Sequence, residues 1–131
     1  MCAPNRPRRG LAWPVVAGLG SLGLLWPVLR LAGFESVAGG FGTALAAYGA
    51  TLVVWVAVAG LGGVPRPVAT LALAGVVHGA LLGTCTVVLD LGHVDRFGEG
   101  ALVLVVEVGR SAGLGALAGL LAEQVQARRR G

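Results

Sequence analysis

Residues 67–89 read PVATLALAGVVHGALLGTCTVVL and contain no Asp, Glu, Lys or Arg. A helix rises about 1.5 Å per residue, and about 20 apolar residues cross the hydrocarbon core of a bilayer. This stretch is long enough and apolar enough to do so. The same gap in charge recurs on its N-terminal side, between Arg9 and Arg30 and again between Glu35 and Arg66. On its C-terminal side, Ala101 to Ala122 has the right length but carries Glu107 and Arg110. The sequence therefore predicts an all-α integral membrane bundle of four transmembrane helices, at about 11–32, 41–61, 68–91 and 101–122.

Composition agrees. The 131 residues are 56% hydrophobic and 12% charged, with a mean hydropathy of +0.83. A soluble domain carries roughly 25% charge. There is too little polar surface to coat a globule in water. Four spans leave no length for a separate soluble domain. The expected division is a basic cytoplasmic N-terminal segment at 1–10, a transmembrane domain at 11–122 and a basic cytoplasmic tail at 123–131.

Every basic residue is Arg, and the net charge is +4. Arg6, Arg8 and Arg9 precede the first span, Arg128, Arg129 and Arg130 follow the last, and Arg66 lies in the middle turn. Short basic flanks stay on the cytoplasmic side. Four spans put both termini there, with the Arg66 turn, and leave Glu35, Asp90, Asp95 and Glu99 outside. The basic balance is thus read as topology, with a modest attraction to anionic headgroups, and not as nucleic-acid binding. The lipid bilayer is the first partner expected. A Lys-free, Ala/Gly/Val-rich composition points to a GC-rich bacterial genome and hence to the plasma (inner) membrane. Arg8-Arg9 weakly resembles a twin-arginine signal, but no convincing cleavage site follows, so the first span reads as a retained anchor. Cys2 and Cys85 fall on different levels of this topology and are read as free thiols.

Two proline-rich points mark the helix boundaries. Pro27 is expected to kink the end of the first span, since it lacks an N–H and crowds the carbonyl four residues back. Gly62-Gly63-Val64-Pro65-Arg66-Pro67 is a turn, with Pro67 suited to the first helical position. Gly33 to Gly40 is expected to be a short Gly-rich connection.

Two constellations stand out within the spans. Gly75, Gly79 and Gly83 recur every four residues and share one helix face, leaving a groove without side chains. Gly109 with Gly113 and Gly115 with Gly119 mark the fourth span similarly. A backbone can approach such a face closely. Packing of the third span on the fourth, or of one copy on another, is the expectation. The second constellation is the pair Glu107 and Arg110. Each charge costs about 2.5–3.5 kcal/mol at the centre of a span on insertion scales. Three apart, they share a face and can pair, and Ser111 is placed to join them. Levelling the four spans adds Ser21, Tyr48, Thr51, His78 and Thr84 to a candidate polar layer near this depth.

Such a pair either fixes helix register and binds a partner helix, or relays a proton or ion. Few other polar residues line the helices, so the first is preferred. The chain is expected to be a structural or accessory membrane subunit, either a homo-oligomer or attached to a larger membrane-protein partner. The alternative is the protomer of a small transporter or channel with Glu107 as coupling carboxylate. No enzyme is expected. Phosphate-loop, dinucleotide-binding, nucleophile-elbow and zinc-protease signatures are missing, and Cys85 stands two turns from His78. Asp90, His93, Asp95 and Glu99 match no calcium-loop spacing. No metal and no cofactor are expected.

Overall fold

The computed structural model describes residues 10–89 and 97–131. The readings placed on Cys2, Arg6, Arg8, Arg9, Asp90, His93 and Asp95 lie outside the described residues. Among those described, the chain is helical throughout: α1 (Trp13–Gly20), a 3₁₀ turn (Ser21–Leu24), α2 (Leu25–Leu31), α3 (Glu35–Leu61), α4 (Pro67–Val88) and α5 (Phe97–Arg130). Four stretches are long and apolar enough to cross a membrane: Trp13–Leu31, Glu35–Leu61, Pro67–Val88 and Gly98–Arg130.

The first of these is made of three pieces. The carbonyl that Pro27 leaves without a helical partner is that of Gly23, four residues back. The 3₁₀ turn falls there, one turn before the proline, and α2 runs on through Pro27 to Leu31. The expected kink at the end of the span is therefore a tightening nearer its middle.

Both helix ends that face a turn close on a glycine. The N–H of Phe34 donates to the Leu29 carbonyl and that of Gly33 to Arg30, with Gly33 at φ 77°. At the end of α3 the Val64 N–H donates to the Ala59 carbonyl, with Gly63 at φ 64°. These are left-handed stops, which glycine enters at no steric cost. The expected connection at 33–40 is shorter than its composition suggests. The chain is helical again from Glu35, and only Gly39, at φ 71° and ψ 166°, interrupts it. After the second turn Arg66 takes a left-handed conformation at φ 49°, and Pro67 opens α4. The fourth span also outruns its expected end, since α5 continues as helix through Glu123 to Arg130.

Around the bundle the order is not that of the chain. α4 packs on α1 and α5, α5 on α4 and α3, and α3 on α5 and α2. Consecutive helices α3 and α4 lie diagonally and touch only sparingly. The core is built from small and medium side chains (Leu19, Ala59, Val64, Leu71, Ala74, Ala118, Ala122) around the one large ring of Trp55. The outer surface is apolar, with Leu31, Val37, Phe41, Leu45, Val53, Leu102 and Val105 all exposed. An apolar surface of this extent is unusual for a domain surrounded by water.

Candidate functional site

The closest contact in the molecule is α4 on α5. A Cβ built on Gly75 would stand 2.2 Å from the Ser111 carbonyl oxygen, and one on Gly79 would stand 2.6 Å from that of Glu107. From the other side, a Cβ on Gly115 would lie 2.1 Å from the Leu71 carbonyl oxygen, and one on Gly119 2.4 Å from the Val68 Cα. Gly83 meets the Leu104 side chain. Gly109 and Gly113 have open space on their side-chain side and take no part in this contact. The first span uses the same device where no repeat advertised it. A Cβ on Gly23 would stand 2.6 Å from the His78 carbonyl oxygen, and one on Gly20 2.5 Å from Val77.

This contact sets the position of the charged pair. Glu107 and Arg110 sit near the middle of α5, which contains no proline, so the three-residue spacing is held by regular helix. Arg110 Nη2 donates to Glu107 Oε2 at 2.6 Å and to the Tyr48 hydroxyl on α3. The guanidinium carbon also lies 4.7 Å from the centre of the Tyr48 ring, a cation–π distance. One arginine is thus tied to a carboxylate, a hydroxyl and an aromatic face.

The pair borders a groove of about 290 Å³ lined by Trp26, Ala44, Tyr48, Leu82, Thr86, Glu107 and Arg110, drawn from α2, α3, α4 and α5. Its size is at the low end for small-molecule sites, which run from about 300 Å³ upward. The Arg110 side chain remains 48% exposed and that of Glu107 20%. An arginine carries five N–H donors, so the face it turns to the groove retains donor capacity. Thr86 spends its hydroxyl proton on the Leu82 carbonyl at 2.9 Å. Near the groove, Arg30 lies 5.2 Å from the Trp26 ring centre and pairs with Glu35 at 3.0 Å. The arrangement can hold a polar or charged group against an apolar wall.

The candidate polar layer divides into three. Tyr48 joins the pair. His78, Thr51 and Ser111 turn inward to a small cavity between α3, α4 and α5, which Tyr48 also lines. Ser21 and Thr84 face outward and join neither. The Ser21 hydroxyl bonds back to the Gly18 carbonyl at 2.6 Å. Ser111 does not join Glu107 and Arg110 as expected. Its position on α5 faces α4, while the Arg110 guanidinium turns outward to Tyr48. His78 has the Trp55 ring edge-on at 5.4 Å and the Tyr48 ring at 6.3 Å, and makes no hydrogen bond to Glu107. Cys85 is a half-buried free thiol. Among the described residues no group of three His, Cys, Asp or Glu could hold a metal ion.

Sequence reasoning missed Trp26 and Thr86 in the groove, and a second polar contact at the Arg-rich end of the bundle. There Gln126 Nε2 donates to the carbonyls of Ala59 at 2.8 Å and Val64 at 3.2 Å, and Arg129 Nη1 to that of Leu61 at 3.0 Å. The tail of α5 thereby bonds to carbonyls at the end of α3 and in the turn that follows it. A signal was present, since Gly115, Gly119, Ala122, Gln126 and Arg129 keep helical spacing of three or four across the expected boundary. Comparison with protein-family models, curated proteins and solved structures finds no match for the chain.

Proposed function

We propose that the protein is a multi-pass membrane protein with both ends cytoplasmic. In this reading it is a structural or accessory subunit, and its Glu107–Arg110–Tyr48 groove receives a further membrane helix, from its own copy or from a larger partner. The observation that carries this reading is the half-exposed Arg110 at mid-helix, beside an open groove. In hydrocarbon such a charge is costly even when paired. A polar side chain of another helix laid in the groove would remove it from lipid and use its free donors.

The orientation draws on the bundle's ends. The contacts of Gln126 and Arg129 with residues 59–64 bring Arg66 and Arg128 to Arg130 to one end. Glu35 and Glu99 begin the parallel helices α3 and α5 at the other. Concentrated Arg favours the cytoplasmic face.

The size of the groove favours a second reading. About 290 Å³ beside a carboxylate would take a small solute, with Glu107 as the coupling group of a transporter or channel protomer. Glu107→Gln separates the two. For a subunit, the assembly seen in mild detergent dissociates, or its thermal stability falls. For a transporter, flux into reconstituted vesicles is lost while assembly survives. A variant unchanged in assembly, stability and flux refutes both roles for Glu107.

A further inference from the structure

Most hydroxyls on these helices bond back to a backbone carbonyl a few residues earlier in the chain. Ser36 reaches the Gly33 carbonyl, Thr43 that of Gly39, Thr51 that of Ala47 and Thr86 that of Leu82. Ser111 is different. Its side-chain oxygen is fully buried, the residue is 1% exposed, and the oxygen has no partner in the protein. Across the interface His78, 5% exposed, has an equally buried Nδ1 with no protein partner. The two atoms belong to different helices, and both residues line the same small cavity, together with Tyr48, Thr51 and Trp55.

That cavity measures about 10 Å³. A single water needs roughly 10–15 Å³ on this measure, with two to four polar partners. No larger ligand fits, and an apolar one would leave both polar atoms desolvated without a bond. We propose that this junction is a binding site for one water molecule, which bridges His78 Nδ1 and Ser111 Oγ and ties α4 to α5 within their glycine-lined contact. The site is independent of which function the groove serves. Only the Tyr48 side chain is common to the walls of both. The water is therefore one ring away from the charged pair.

Water-to-protein magnetisation transfer on the full chain in detergent micelles tests this. The chain has two histidines, so a His93→Gln background with ¹⁵N-histidine labelling isolates His78. The expected result is a cross-peak between a slowly exchanging water and the His78 ring protons. Ser111→Ala is expected to abolish or weaken that cross-peak and to displace the Nδ1 resonance. The absence of a cross-peak in the parent protein overturns the proposal whatever the variant does, so an unfolded variant leaves the test intact. A cross-peak that Ser111→Ala leaves unchanged overturns it as well, because the water is then not held by Ser111.

Discussion

The same small change, Gly to Ala, should have opposite effects on two faces of the hairpin formed by α4 and α5. At Gly75 the new methyl would stand 2.2 Å from the Ser111 carbonyl oxygen, and ordinary contact begins at 3.4 Å, so the two backbones must part by about 1.2 Å. The obstacle is backbone, which cannot rotate away as a side-chain tip can. Overpacking of this kind costs about 1–3 kcal/mol. The better helix propensity of Ala returns about 0.8–1 kcal/mol of that. Gly75→Ala is therefore expected to lose up to about 2 kcal/mol. At Gly109 and Gly113 an added Cβ meets nothing within 4 Å. Ala there keeps the propensity gain and should be neutral, or more stable by up to about 1 kcal/mol. The assay is reversible unfolding in mixed micelles, following helix content against denaturant, with the three variants in parallel. If Gly75→Ala and Gly109→Ala shift the midpoint in the same direction by similar amounts, the close approach of α4 and α5 is refuted.

Two further outcomes follow from the Arg-rich end. Arg66 holds φ 49°, a conformation that costs a non-glycine residue about 1–2 kcal/mol, so Arg66→Gly should raise the unfolding midpoint despite the added freedom of the unfolded chain; a lower midpoint would mean that the arginine side chain outweighs the strain. Gln126→Ala removes two hydrogen bonds, to Ala59 and Val64, each contributing about 0.5–1.5 kcal/mol; amide exchange should accelerate in the turn at 62–66 while the middle of α4 keeps its protection.

Much of the architecture was legible because charge is so sparse. The gaps between Arg9, Arg30, Glu35 and Arg66 bracket the first two helices, and Pro67 begins the third where a first-turn proline belongs. The glycine spacing singled out the faces that meet at Gly75, Gly79, Gly115 and Gly119. It could not tell those from Gly109 and Gly113, because a missing side chain says that a backbone can approach, and not that one does. The pair of Glu107 with Arg110 follows from three-residue spacing. That Tyr48 completes it does not, since depth along a helix is readable from sequence and azimuth is not. The same blindness put Ser21 and Thr84 in the polar layer and left Trp26 and Thr86 out of the groove. The sequence marks the apolar span to Ala122, and composition alone gives no sign that the helix itself runs on to Arg130. The polar residues beyond Ala122 bond to carbonyls at the end of α3 and in the turn after it, and so keep the turn pattern going.

The diagonal placement of α3 and α4 has a consequence for biogenesis. Synthesis delivers these two helices in succession, joined by a tight turn, yet each finds its main neighbour in α5, which emerges last. Until then α4 leans mainly on the first span, and the Leu61 carbonyl at the close of α3 awaits Arg129. The final helix is the keystone. A ribosome stalled before residue 97 would leave three segments with no closed assembly, and the cell's quality control would meet them in that state.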